Sequence, residues 1–176
     1  MGASRKVYTD KDLRTLDMIT ALWIRPQMYL SPVMDSGGIA ARLAEEAFRL
    51  TKKQAHLDKL DNWFIVAANE DWLSYTNTAD IQQVFRTHIH LAEMGSFDMY
   101  GEVILTAYAE NVVTFLDTKM TVIKGEKESQ LLAKFIESKP DWKRVVAFSD
   151  FSISIRPGSL TTEQLQFLKD AGKTRP

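Results

Sequence analysis

Cysteine is absent from all 176 residues of the sequence. The chain therefore has no disulfide, no thiol nucleophile and no cysteine-ligated zinc. Long apolar runs are lacking as well, because no stretch approaches the roughly 18 residues that a membrane-spanning helix needs. Residues 1–12 are not followed by an apolar signal core, so no secretory leader is expected. Together these absences predict a soluble, cytoplasmic protein.

An excess of either charge is also lacking, because 22 Lys and Arg residues stand against 23 Asp and Glu residues. The distribution is nevertheless uneven. Arg86 is the only basic residue between positions 61 and 117, against nine acidic ones. That stretch is either a surface for a basic partner or an acidic layer that folds against basic flanks. Direct binding of nucleic acid is not expected, because it requires Lys and Arg clustered on one face.

The composition is that of one globular domain, with 45% hydrophobic and 26% charged residues. Hydrophobic periodicity predicts helices over about 10–23, 39–50, 126–138 and 161–168, and another that starts at residue 81 and ends before Gly95. Strands are predicted over 63–68, 72–76, 112–116, 120–123 and 145–155, with the first two paired as a hairpin. Residues 102–109 fit a helix and a strand equally well.

These elements predict a single α+β domain over 1–176, with a flexible N-terminal arm over 1–9 and a flexible tail over 169–176. The expected architecture is a two-layer sandwich, in which a mixed, mostly antiparallel sheet carries helices on one face.

Common catalytic and metal-binding motifs are absent, since no G-x-S-x-G, Walker A or H-E-x-x-H pattern occurs. His88 and His90 fall on the helix predicted from residue 81. Side chains two positions apart on a helix point about 200° from one another. His88 would then join the apolar face and His90 the polar face, so we expect no shared metal ion.

Ordered short motifs run through the first 125 residues. Residues 8–13 read YTDKDL and residues 25–30 read RPQMYL. They resemble the N-terminal arm and the R-P-G-M-Y-I-G motif of the ATPase subunit of bacterial type II topoisomerases, gyrase B and its topoisomerase IV counterpart. Both glycines of that motif are replaced here.

Three further segments resemble this family in the same order. Residues 35–39 (DSGGI) match a turn that enters a helix, and residues 63–76 match a strand-turn-strand that precedes a D-x-G-x-G motif. Residues 88–98 (HIHLAEMGSFD) resemble a segment written L-H-A-G-G-K-F-D. The resemblance covers about residues 7–125. It implies the GHKL, or Bergerat, ATP-binding fold, in which residues 102–109 form a helix.

The resemblance also locates the nucleotide site of the family. Glu45 stands where the family has its catalytic glutamate, but Arg49 replaces the magnesium-binding asparagine, and a guanidinium cannot coordinate a cation. Thr76 or Asn77 stands where an aspartate reads adenine, and of the lid glycines only Gly101 remains. We therefore expect a degenerate site without ATP or magnesium and without enzymatic activity. Glu45 would act as a base only if hydrolysis is retained.

A surface for protein contact is implied in the same way. In the family the N-terminal arm reaches a second copy, and Tyr8, Arg25 and Tyr29 lie in or beside the corresponding stretch. The first hypothesis is a non-catalytic interaction protein that binds or imitates a type II topoisomerase subunit, or forms a homodimer. One alternative is a GHKL protein that binds ATP through a rearranged site. The other is an unrelated α+β binding module.

Overall fold

The computed structural model describes residues 18–30, 34–76, 78–91, 97–99, 101–125 and 129–152. The predicted arm over 1–9, the last helix over 161–168 and the tail over 169–176 lie outside these residues. Within the described ranges, no helix combines the length and the apolar character that crossing a membrane requires.

The strands of the described residues form two antiparallel sheets. They are β1 (His56–Leu60), β2 (Trp63–Ala68), β3 (Ile89–Leu91), β4 (Phe97–Met99), β5 (Asn111–Leu116), β6 (Lys119–Lys124) and β7 (Arg144–Ser149). The larger sheet has the order β1-β2-β7-β5-β6, and β3 pairs with β4 as a separate hairpin. The inner strands β2 and β7 are covered on both faces, so their sequences read as continuous apolar runs instead of alternating.

Helices cover both faces of the larger sheet. They are α1 (Met18–Ile24), α2 (Ser36–Thr51), α3 (Ile81–Val84), α4 (Gly101–Tyr108) and α5 (Gln130–Glu137), with 3-10 helices at Pro26–Met28 and Trp72–Thr76. Alternation along β2 separates two cores. Val66 faces α1, α2 and α4, whereas Ile65 faces the side chains of Leu132 and Ile136 on α5.

Helix α2 shows how the sequence fixes its own ends. The carboxylate of Asp35 caps the first turn by accepting a hydrogen bond from the Gly38 N–H at 2.8 Å. Lys52 ends the helix in the left-handed conformation, with φ 58°. The face between these ends buries Leu43, and a leucine side chain that is fully buried contributes about 1.5–3 kcal/mol.

The predicted α+β class is confirmed, with α1, α2 and α4 on one face of the sheet. The strands predicted over 63–68, 112–116 and 120–123 form as β2, β5 and β6. The sheet is antiparallel throughout, and α5 adds a short helix on the second face. Residues 102–109, which fit both templates, belong to α4 up to Tyr108.

The predicted strand over 72–76 is wrong, because this segment is a 3-10 helix. Strand β2 instead forms its hairpin with the preceding strand β1, across a turn in which Asp61 has φ 53°. Trp72 and Leu73 are buried in the core that contains α2, so packing against that helix replaces pairing in the sheet.

The helix predicted from residue 81 is also shorter than expected. Helix α3 ends at Val84, and residues 89–91 pair with β4 as a strand. Because of this pairing, His90 lies on a strand and not on a helix. Local periodicity could not predict the strand, because its partner lies further along the chain.

Candidate functional site

Glu45 and Arg49 lie on the exposed side of α2. The Arg49 Nη2 atom is 2.6 Å from Glu45 Oε1, and the two side chains are 54% and 51% exposed. Neither residue lines the cleft beside Thr76 that is described below. The carboxylate that the resemblance assigns to catalysis is therefore held by a neighbouring guanidinium on the helix surface.

The adjacent Glu46 is buried, and sequence reasoning missed it. Its carboxylate accepts a hydrogen bond from the Arg42 Nε atom at 2.9 Å. It also accepts from the Gly101 N–H, which is 3.3 Å from each of its two oxygens. Helical periodicity could have predicted the burial of Glu46, because this residue lies three positions after the buried Leu43 on the apolar face of α2.

Glu102, which directly follows Gly101 on α4, carries a second buried carboxyl group. Its Oε1 atom accepts a hydrogen bond from the Trp72 indole N–H at 3.1 Å. Burial raises the pKa of Glu102 well above its usual value, and the nearby charge of Glu46 raises it further. The site thus holds two carboxyl groups that face one another across α2 and α4.

Gly101 begins α4 in close contact with α2. A Cβ atom at this position would lie 2.9 Å from Glu46 Oε2 and 2.9 Å from Leu43 Cδ2. The N-terminus of a helix favours an anion because its N–H groups are free and its dipole is positive. At the start of α4 the anion is the protein's own Glu46 carboxylate.

Thr76 is buried in the 3-10 helix that follows β2, and its hydroxyl donates to the Leu73 carbonyl at 2.8 Å. Asn77 lies outside the described residues. A cleft of about 580 Å³ opens beside this segment, and its lining includes Leu73, Ser74 and Thr78. Of the four predicted nucleotide residues that the structure describes, none lines this cleft, but Thr76 belongs to the segment that borders it.

An ion pair between buried Arg144 and half-buried Asp71 forms part of the wall of the same cleft. The Arg144 guanidinium makes two hydrogen bonds to the Asp71 carboxylate, at 2.7 and 2.9 Å. It also donates to the Thr114 hydroxyl at 3.2 Å. The pair ties β7 to the segment after β2. Sequence reasoning missed it because 73 positions separate the two residues.

The predicted partner residues meet at the 3-10 helix Pro26–Met28. Arg25 is exposed, Tyr29 is half-buried against the core, and Met28 between them is 62% exposed. Tyr8 lies outside the described residues. The structure therefore brings Arg25 and Tyr29 to the two ends of one short surface turn.

His88 and His90 come together, contrary to the expectation that a helix would hold them apart. The Asp98 Oδ1 atom lies 2.6 Å from His90 Nδ1 and 3.4 Å from His88 Nε2. The hydrogen bond with His90 lowers the pKa of Asp98. Both rings contact the same carboxylate oxygen. The described part of the chain contains no group of three or more His, Cys, Asp or Glu side chains that could hold a metal ion.

No family model, curated protein or solved structure matches the chain.

Proposed function

We propose that this chain is a non-catalytic protein-interaction and regulatory protein, built on a domain that resembles the ATPase domain of type II topoisomerase B subunits. The observation that carries the proposal is the contact between Gly101 and Glu46. A GHKL protein needs its lid glycine to approach a phosphate. Here the Gly101 N–H donates to an internal carboxylate, which occupies the place of an anion and repels one.

The Glu45–Arg49 ion pair supports the same proposal. A base that activates water must be free to accept a proton, and a magnesium ion needs an oxygen ligand beside the phosphates. Glu45 instead has a guanidinium 2.6 Å away, and Arg49 offers only donors. Two requirements of hydrolysis are thus replaced by one surface salt bridge.

The turn Pro26–Met28 supplies the proposed contact surface. An exposed thioether between a cationic and an aromatic side chain is a typical composition for the centre of a protein interface. Met28 presents that thioether, with Arg25 and Tyr29 on either side. The proposed partner is a type II topoisomerase subunit or a second copy of this chain.

Binding to purified gyrase and topoisomerase IV B subunits tests this proposal, with sedimentation equilibrium of the protein alone as the test of self-association. We expect one of the two associations, and we expect Met28→Asp and Arg25→Glu to weaken it. The matched control is Leu131→Asp, because Leu131 is 55% exposed but lies on α5, across the sheet. A protein that stays monomeric and captures neither subunit would overturn the proposal.

The cleft beside Thr76 favours a second candidate, a nucleotide-binding protein with a rearranged site. Its volume of about 580 Å³ lies within the range of small-molecule sites, and Ser74, Thr78 and Thr121 offer hydroxyl groups. In this case ATP would bind away from Glu45 and Gly101. Ligand-dependent stabilisation separates the two candidates.

A further inference from the structure

A second cleft lies between α1 and β6, away from the residues discussed above. Its volume is about 430 Å³, within the range of small-molecule sites. We call it the α1–β6 cleft. It is lined by Ile19, Trp23, Arg86, Thr106, Ile123 and Lys124.

A β-bulge builds one wall of this cleft. Val112 of β5 pairs with Lys124, but the next residue, Val113, pairs with Val122, so β6 carries one extra residue at Ile123. Bulges redirect side chains and are common beside binding sites. Here Ile123 and Lys124 are adjacent in sequence, yet both line the same cleft, which regular alternation along β6 would forbid.

Lys124 brings a positive charge that no described carboxylate neutralises by contact. Its Nζ atom donates to the Thr106 carbonyl at 2.8 Å, and it forms no ion pair with any described residue. Burial lowers the pKa of Lys124, and the more distant Glu110 carboxylate partly opposes that shift. An anion bound beside the ammonium would remove this desolvation penalty.

Arg86 adds a second cation to the cleft. It follows α3, which is fixed to β6 by a hydrogen bond from Gln82 Nε2 to the Val122 carbonyl at 2.9 Å. Arg86 is exposed and forms no ion pair with a described residue. Its fork of donors matches the geometry of a carboxylate. Among the described residues, the lining therefore includes two cations and no acidic side chain.

The remaining wall is apolar and held in place. The Trp23 indole N–H donates to the Ala107 carbonyl at 3.1 Å, which fixes the ring and leaves its carbon surface for contact. Ile19 and Ile123 are half-buried beside it against the core. A ligand that fits this lining has a flat apolar body and one negative group.

We propose that the α1–β6 cleft binds a small organic carboxylate, with its apolar body against Trp23, Ile19 and Ile123 and its carboxylate between Arg86 and Lys124. This inference does not depend on the function proposed above, since neither Glu46 nor the turn Pro26–Met28 takes part. In this proposal the bulge at Ile123 has a role in ligand binding, because it places both Ile123 and Lys124 in the cleft.

Calorimetric titration of the intact protein with naphthoate tests the proposal, and naphthylmethanol serves as the uncharged comparison. We expect naphthoate to bind and to shift the indole N–H resonance of Trp23, assigned with a Trp23→Phe variant. Each of Arg86→Gln and Lys124→Gln should weaken binding about tenfold, the usual scale for one charge-assisted hydrogen bond. Lys124→Arg keeps the charge and should retain most of the affinity.

The control variant is Lys134→Gln, which removes an exposed lysine from α5 on the other face of the sheet. It should leave binding unchanged. The proposal is overturned if naphthoate does not bind, if naphthylmethanol binds as tightly, or if binding survives both Arg86→Gln and Lys124→Gln. If Lys124→Gln fails to fold, Arg86→Gln and Lys124→Arg still decide the outcome.

Discussion

Glu46 of α2 and Glu102 of α4 form a buried carboxyl pair, with 0% and 1% of their surfaces exposed. Each is held by a donor from a different segment, since the Gly101 N–H bonds to Glu46 and the Trp72 indole bonds to Glu102. The pair joins two helices and the 3-10 helix after β2.

This pair predicts a stability that falls as pH rises. Unfolded Glu102 loses its proton near its ordinary pKa of 4.5, whereas the folded protein keeps it to a higher pH because burial raises the pKa. Between the unfolded-state and folded-state pKa values of Glu102, the folded state binds more protons than the unfolded state. Its stability is therefore lost with increasing pH, by up to about 1.4 kcal/mol per pH unit.

Urea unfolding of the wild type and of Glu102→Gln across this pH range checks the prediction. Glutamine can still accept from the Trp72 indole but cannot ionise. The difference in unfolding free energy between the two proteins should move in favour of the variant as pH rises. Parallel pH profiles would show that Glu102 is already ionised in the folded protein.

Gly101→Ala is expected to destabilise the fold by about 1–3 kcal/mol, the usual cost of overpacking. The new Cβ would lie 2.9 Å from both Glu46 Oε2 and Leu43 Cδ2. Gly37→Ala is the matched control, because its Cβ would meet only Asp35 Oδ1 at 3.4 Å. Thermal unfolding should show Gly37→Ala as neutral or slightly stabilising. Equal effects of the two variants would argue against a closed contact at Gly101.

Asp71→Asn is expected to cost about 3–5 kcal/mol, because it leaves the Arg144 guanidinium buried without a counter-ion. The Arg144 side chain is 7% exposed and that of Asp71 is 17% exposed. In contrast, Glu45→Gln breaks the exposed pair on α2 and should cost about 0.5 kcal/mol or less. Denaturant unfolding of the two variants gives the comparison. A small cost for Asp71→Asn would mean that water reaches Arg144.

Tyr108→Phe is expected to lower stability by about 1 kcal/mol, the usual net value of one hydrogen bond. The Tyr108 hydroxyl donates to the Leu22 carbonyl at 2.7 Å and so fastens α4 to α1. Burial raises the pKa of Tyr108 to about 12. Ultraviolet titration should therefore show one tyrosine that ionises late in the wild type and is missing from the variant. Unchanged titration would contradict the docking of α1.

Much of the fold follows from local sequence. The apolar runs of β2 and β7 and the periodicity of α2 are signals within a few residues, and they predicted these elements. The strand predicted over 145–155 was too long, because β7 ends at Ser149 and residues 150–152 are not strand. Strand β1 was missed because its sequence, HLDKL, alternates polar residues at the edge of a sheet. The strand predicted over 72–76 was wrong, because this segment forms a 3-10 helix whose apolar side chains pack under α2.

The candidate site was harder to predict, because its contacts join distant segments. The resemblance pointed to Glu45, but the carboxylate that reaches the core is Glu46, one position later. Glu102 could not be identified without knowing that α4 packs on α2. The Asp71–Arg144 pair likewise depends on the sheet order, which places β7 beside β2.

We propose that Glu46 closes the phosphate position at Gly101, so that the domain does not use ATP. Thermal unfolding with and without magnesium and ATP, or a non-hydrolysable analogue, tests it most directly. A ligand at about 100 times its Kd would add roughly 2.7 kcal/mol of stability, an easily measured rise in Tm. We expect no rise in Tm. A clear upward shift that is lost in a Thr76 variant would contradict it and support a nucleotide site in the cleft beside Thr76.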